Sequence, residues 1–255
     1  MYAFARQPRW VLSHLLVLVL ILAMIAAGFW QLDRRQEKKD RNALVTARQE
    51  EPVAAVEEIV TADQPTDVGG DLRFRRATVS GTYDQAAQVL VRNRSFDEAP
   101  GSWVLTPLVL DDGTAVVVNR GWVSVTGEQV LSPDAAPPDG RVEVEGLLEE
   151  SQSRGSFGPT DPSGEVLDTL SRVDLDRYQE QVDADLYPVW LQLEAQDPAQ
   201  GDTPTPVDPP ALTEGPHLGY AVQWFIFTTI ALVGYPLILR RRAQQGAADE
   251  ATRSG

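Results

Sequence analysis

Two long apolar runs stand at opposite ends of this chain, and the sequence between them alternates in short stretches broken by Gly, Pro and Asp. The first run, residues 11–30, contains no Asp, Glu, Lys or Arg and is bracketed by Trp10 and Trp30. A helix of that length spans the ~30 Å hydrocarbon core of a bilayer, and tryptophans favour its two interfaces. The pattern predicts a transmembrane helix. Ala23, Ala26 and Ala27 are what a cleavable signal peptide would offer near its end, but the run is long for one and has an aromatic anchor on each side. The second run opens at His217 and continues without charge to 239, where Arg240, Arg241 and Arg242 stop it. A second span over 217–239 follows. Behind the first run, residues 31–50 are rich in helix-forming Arg, Glu, Lys, Gln and Ala, with Glu37 and Arg41 spaced for an i,i+4 pair. They predict a polar extension of the first helix.

Between the spans the period changes from helix to strand. Residues 72–83, 88–94, 103–110, 114–123, 141–149 and 186–194 are rich in Val, Leu, Thr and aromatics and are bounded by turn formers. Asp111-Asp112-Gly113 supplies the positive φ that a tight hairpin demands, so its flanking strands should pair antiparallel. Residues 174–182 predict a short helix with Asp174 as N-cap, and 197–216, with six prolines, an extended linker. The organisation expected is a cytoplasmic N-terminus (1–10), a span (11–30), a helical extension (31–50), a β-rich extracytoplasmic domain (51–196), a Pro-rich linker (197–216), a second span (217–239) and a cytoplasmic tail (240–255). The fold class is that of an α+β membrane protein. Two transmembrane helices flank a mainly antiparallel sheet, open or closed into a barrel, with one or two helices of its own.

Orientation follows from the second span, because three arginines follow it directly and no basic residue lies between Arg177 and its start. Both termini are then cytoplasmic. The basic residues after Trp30 (Arg34, Arg35, Lys38, Lys39, Arg41) outnumber Arg6 and Arg9 before the first span, but Asp33, Glu37 and Asp40 are interleaved with them. Long domains also translocate largely regardless of charge.

Charge narrows the partners. Residues 50–214 carry 32 acidic and 10 basic side chains, a net charge of −22, and neither of the two lysines. Nucleic acid is excluded as a partner, since binding it needs Lys and Arg to replace counterions. The absence of cysteine excludes disulfides, thiolate metal sites, covalent c-type haem attachment and copper transfer through a Cys pair. The only histidines, His14 and His217, lie outside the β-rich segment, so no Ser-His-Asp or Cys-His arrangement exists within it, and no multi-histidine metal site. No enzyme activity is expected.

His217 carries the remaining chemistry. It follows Pro216, a favoured first-turn residue, and opens the second span. On a helix Tyr220, Ala221, Trp224 and Thr228 fall on its face, and the stripe combines aromatic walls with a gap at Ala221 that suits a flat macrocycle. The plainer alternative is an interfacial His and Trp belt. His14 lies near the other end of the hydrocarbon core and reads as a hydrogen-bonded or interfacial residue. A second constellation is made of arginines. Arg73 and Arg75 would share one strand face and Arg92 and Arg94 another, while Arg120 closes the strand before Gly121-Trp122. They could bind carboxylates of a partner or of haem propionates, or pair with neighbouring Asp and Glu.

The blocks GFWQLDR (28–34), VSGTYD (79–84), VLVRNR (89–94), PGSWVLTPLVLDDG (100–113), AVVVNRGWV (115–123) and HLGYAVQWF (217–225), in that order and between two flanking spans, resemble the Surfeit locus protein 1 family of cytochrome c oxidase biogenesis factors. The resemblance implies a plasma-membrane assembly factor for aerobic respiration that acts as a haem a chaperone toward the large membrane subunit of the oxidase. It also implies haem ligation by His217, beside which the helical face and the arginine constellation offer Tyr220, Trp224, Arg94 and Arg120 as candidate cofactor-binding residues. A scaffold that stabilises an oxidase assembly intermediate without touching haem is the alternative. A homodimer is left open as the arrangement that would supply a second axial imidazole.

Overall fold

The structure, a computed structural model, describes residues 3–124, 135–156 and 158–253. It divides into two compact units, one formed by Met1–Ala43 with Leu212–Gly255 and the other by Leu44–Ala211.

The first unit is a pair of antiparallel helices. Helix α1 (Pro8–Gln49) is uninterrupted over 42 residues, so the apolar run and its polar extension are one element. At 1.5 Å per residue it is about 63 Å long, twice the thickness of a hydrocarbon core. Its polar part is laced by Arg34–Glu37 at 2.6 Å and Gln36–Asp40 at 2.7 Å, one turn apart. The last helix (His217–Arg253) has Pro236 inside it. Both helices are long and apolar enough to cross a membrane, and only 6 % of the most apolar window of each is buried within the protein. Their contact is set by size and by polar partners. Gly28 receives the ring of Phe225, where a Cβ would lie 2.8 Å from a ring carbon, and Phe29 meets the same ring edge-on at 5.6 Å. Towards the termini the hydroxyl of Tyr235 bridges Ser13 and His14 at 2.9 and 2.7 Å. At the other end Arg35 pairs with Glu214 at 2.7 Å.

The second unit is a sheet. Its short helices are α2 (Val56–Ile59), α3 (Gly69–Leu72) and α4 (Leu175–Gln179), which makes the long C-terminal helix α5. Its strands are β1 (Ala54–Ala55), β2 (Arg76–Tyr83), β3 (Val89–Phe96), β4 (Ala99–Val109), β5 (Ala115–Ser124), β6 (Arg141–Glu150), β7 (Thr169–Leu170) and β8 (Leu186–Asp197). They are ordered β1-β2-β6-β8-β5-β4-β3-β7. The pairings among β2, β6, β8, β5 and β4 return to β2 through two residue pairs, Thr82–Val109 and Tyr83–Leu108. Pairing is antiparallel except for β1–β2, β3–β7 and β5–β8. The Asp111-Asp112-Gly113 hairpin joins β4 to β5, with Gly113 at φ 88 and the Asp112 carboxylate accepting both the backbone N–H (2.9 Å) and the hydroxyl (2.6 Å) of Thr114. Those bonds hold its carboxyl below the usual range.

The core lies on both faces of the sheet. Val116 and Val118 of β5, with Val189, Leu191 and Leu193 of β8, join one cluster with Val79, Leu108, Val144 and Leu148; Ala115, Val117 and Trp190 join the other with Val89, Val91 and Tyr178. Strands β5 and β8 are therefore covered on both sides, which is why they read as continuous apolar runs. Helix α4 closes the second face. The Asp174 side chain caps it by accepting from the Arg177 N–H at 3.2 Å, and Tyr178 donates to the Ala87 carbonyl at 2.6 Å. The helix stops at Gln179, short of the 182 expected.

Two expectations are corrected. Arg73 and Arg75 do not share a strand face. They precede β2, because Phe74 between them has φ 70 and breaks the alternation. Arg92 and Arg94 are separated by a bulge in the β3–β4 pairing, with Asn93 at φ 59, so the face shared by alternate residues is lost there as well. Along its first half the Pro-rich segment is tied to β5. Thr205 exchanges both backbone hydrogen bonds with Trp122, at 2.7 and 2.8 Å, and Gln200 donates to the carbonyl of Arg120 at 2.9 Å.

Candidate functional site

His217 occupies the first position of α5, after Gly215 and Pro216. Gly215 has φ 69, and a Cβ on it would lie 3.3 Å from Cδ2 and 3.5 Å from Nε2 of the imidazole, so glycine leaves that edge of the ring clear. The other edge is fixed. Nδ1 lies 2.8 Å from Oε1 of Gln31 on α1. A carboxamide oxygen accepts only, so Nδ1 donates, and in the neutral ring the Nε2 lone pair is the one left available. Among the described residues Nε2 has no hydrogen-bond partner.

The stripe around His217 divides. Trp224 is half-buried and meets Phe227 edge-on at 6.1 Å, while Tyr220 is 49 % exposed. Ala221 is 1 % exposed and Thr228 6 %, its hydroxyl donating to the Trp224 carbonyl at 3.0 Å. The expected gap at Ala221 is thus closed. Ala221 lies one turn from both His217 and Phe225, on the side of α5 that packs on α1, and a small side chain there admits the neighbouring helix.

His14 has neither ring nitrogen to spare, with Nδ1 2.7 Å from the Tyr235 hydroxyl and Nε2 3.2 Å from the Ala5 carbonyl oxygen. It is the hydrogen-bonded histidine that its position suggests. Since His217 meets α1 at Gln31, the two histidines are about 25 Å apart along that helix.

Arg94 and Arg120 belong to the sheet unit. Residue 120 is the extra residue of a bulge: Val104 pairs with Gly121 and Leu105 with Asn119, and the irregularity turns the Arg120 side chain inward. It is fully buried. Its guanidinium donates to the Ala135 and Ala136 carbonyls at 2.9 and 3.0 Å and to Gln88 Oε1 at 3.0 Å, and lies 5.4 Å over the Tyr83 ring. Burial pulls its pKa down to about 10, so it stays cationic at neutral pH; burial pushes the Tyr83 phenol up. Arg94 stacks 4.4 Å over Trp103 and donates to Gln152 Oε1 at 3.3 Å, and burial lowers its pKa too. Neither arginine has a carboxylate partner among the described residues. Arg73 pairs with Glu149 and Glu150, Arg75 with Glu51 and Arg92 with Asp161. Among the described residues no three His, Asp or Glu side chains gather to hold a metal ion.

The model of the SURF1 family matches residues 18–229. The chain belongs to the SURF1 family. It is similar to an uncharacterized SURF1-like protein of Mycobacterium bovis, 26% identical over 236 residues that cover 91% of this chain and 84% of that one. A SURF1-like protein of Rickettsia bellii is 25% identical over 239 residues, 92% and 93% of the two chains. One from Dictyostelium discoideum is 33% identical over 114 residues, 43% and 42%. The SURF1 family is known generally for cytochrome oxidase assembly. The SURF1 match takes in Gln31, Arg94, Arg120, His217, Tyr220 and Trp224, and the hydrogen bond between Gln31 and His217 joins its first block to its last across 186 residues of chain. Gln31 was not among the residues singled out by sequence. Its signal is a lone amide directly after Trp30, at the end of an apolar run that otherwise gives way to charge.

Proposed function

We propose that this SURF1-family protein is a non-enzymatic, membrane-anchored assembly factor for haem-copper cytochrome c oxidase that binds haem a at His217 and helps deliver it to the large membrane subunit. The observation that carries the haem part is the imidazole held at Nδ1 by Gln31 with Nε2 free. That is how proteins orient a histidine that ligates a metal, because the second partner fixes both tautomer and ring plane. The site supplies one nitrogen donor, which suits one axial position of a haem iron. Trp224 and the exposed Tyr220 would flank the group on α5. In the sheet unit Arg94 stacks on Trp103 and lacks a carboxylate among the described residues, while Arg120 is enclosed and braces the Ala135 and Ala136 carbonyls. What haem would supply is the iron centre that the oxidase receives. The detergent-purified protein, made in cells that synthesise haem a, should carry a Soret band with the pyridine haemochrome spectrum of haem a. A protein that restores oxidase assembly yet lacks the band would be the haem-independent scaffold.

We further read α1 and α5 as spans of the cell membrane, with both termini cytoplasmic and residues 33–216 on the outer face. Their antiparallel packing supports this by placing Arg9 and Arg242 at one end, so that the arginines that stop the second span share the side of the N-terminus. Protease added to intact spheroplasts should therefore cut within 50–216 and spare a C-terminal tag. Loss of the tag under those conditions would overturn the orientation.

A further inference from the structure

The end of the helical unit remote from His217 carries a feature that haem delivery does not use. Arg9 and Trp10 of α1, Ser13 one turn on, and Arg242 of α5 line a single cavity of about 340 Å³. Arg9 donates from Nε to Gln7 at 3.1 Å, and neither it nor Arg242 has an acidic partner among the described residues. In a chain of net charge −15, two guanidiniums thus face one cavity with no counter-charge from the described residues. The hydroxyl of Ser13 is held beside them by the Tyr235 hydroxyl at 2.9 Å, itself 2.7 Å from His14 Nδ1.

We propose that this cavity binds the phosphate of an anionic phospholipid. Two guanidinium forks are the donors that a phosphodiester takes, and among the described residues no carboxylate lines the cavity to hold the ammonium of a zwitterionic headgroup. Trp10 marks the depth, because the apolar run begins directly after it and its indole is the side chain that favours the headgroup level. Below it Leu12, Leu16 and Ile238 are exposed, at 68 %, 58 % and 57 %, and give acyl chains a surface to lie on, which a free phosphate ion would not use. The site joins the two helices at their termini, so a bound lipid clamps the pair at the end opposite the Gln31–His217 bond. The proposal rests on the reading of both helices as membrane spans.

The test uses the full chain purified in mild detergent, titrated with dihexanoyl phosphatidylglycerol, dihexanoyl phosphatidylcholine or inorganic phosphate and read by native mass spectrometry. One phosphatidylglycerol per chain is expected, bound roughly tenfold more tightly than phosphatidylcholine or phosphate. Arg9→Gln with Arg242→Gln should lose that preference, whereas Arg240→Gln with Arg241→Gln, equal in charge but away from the cavity, should keep it. Equal loss in both double variants, or equal binding of phosphatidylcholine, would overturn the site. Alkaline carbonate extraction separates the two ideas: release of the chain from membranes overturns the spans and the lipid site together, while a chain that stays in the membrane without the preference overturns the lipid site alone.

Discussion

His217→Ala should remove haem a from the purified protein while leaving its expression and membrane insertion near wild type. The imidazole is the only one at that end of the helical unit, since the other histidine is about 25 Å away along α1 with both ring nitrogens engaged. His14→Ala should therefore keep wild-type haem content. Gln31→Ala tests the geometry more finely. It leaves the ligand in place but frees the ring and its tautomer, and losing such an outer partner typically weakens metal binding by about 10- to 100-fold. The order expected in a haem titration is thus wild type and His14→Ala alike, Gln31→Ala weaker, and His217→Ala absent. The chain would offer bound haem a single imidazole, so a high-spin spectrum is expected. A low-spin spectrum with two nitrogen ligands would instead assign the second imidazole to another copy of the chain, a homodimer sharing the haem. Unchanged haem content in His217→Ala would take His217 out of the site.

The elements that local pattern could reach were legible, because their cause is local. Two apolar runs, the Asp111-Asp112-Gly113 turn and the Asp174 cap each write their structure into neighbouring residues, and all four recur in the structure. The tight turn at Asp97-Glu98 was not legible, since both residues adopt positive φ (48 and 63) without the Asn or Gly that usually announces such a turn. It extends β3 to Phe96 and starts β4 at Ala99, where the apolar pattern alone ends the one at 94 and begins the other at 103. The parallel pairing of β5 with β8 is likewise invisible to periodicity, because both strands are buried on both faces and alternation carries no information there. At the site, His217 announces itself by type and position, but its partner does not. Gln31 is paired to it by the packing of two helices whose contact depends on Gly28 admitting Phe225. Arg120 misled for a related reason: period-2 counting cannot detect the bulge that turns it from a surface cation into a buried brace.

Gly146→Ala should cost the sheet unit at least ~3 kcal/mol, a large part of the ~5–15 kcal/mol that a domain has in hand. Gly146 sits where the β6–β8 register shifts, paired with Leu193 while Glu145 pairs with Ala195. A Cβ there would stand 2.1 Å from the Gln192 carbonyl oxygen and 2.6 Å from a methyl of Leu191. Neither neighbour can retreat. Leu191 is fully buried, and the Gln192 side chain accepts from buried Asn119 at 2.9 Å, tying β8 to β5 at the same level. Backbone would have to move in a strand covered on both faces, which tight packing resists. Gly113→Ala is the contrast, because it brings backbone strain without a collision. Gly113 has φ 88 but nothing within 4 Å of its Cβ position, so only the backbone penalty of about 1 kcal/mol applies. Urea unfolding of the full-length protein followed by tryptophan fluorescence reads both, since Trp190 of β8 is 3 % exposed. The midpoint should fall slightly for Gly113→Ala and sharply for Gly146→Ala, or the second variant should fail to accumulate. A Gly146→Ala protein that unfolds with the wild-type midpoint would show that β6 and β8 are not paired in this register.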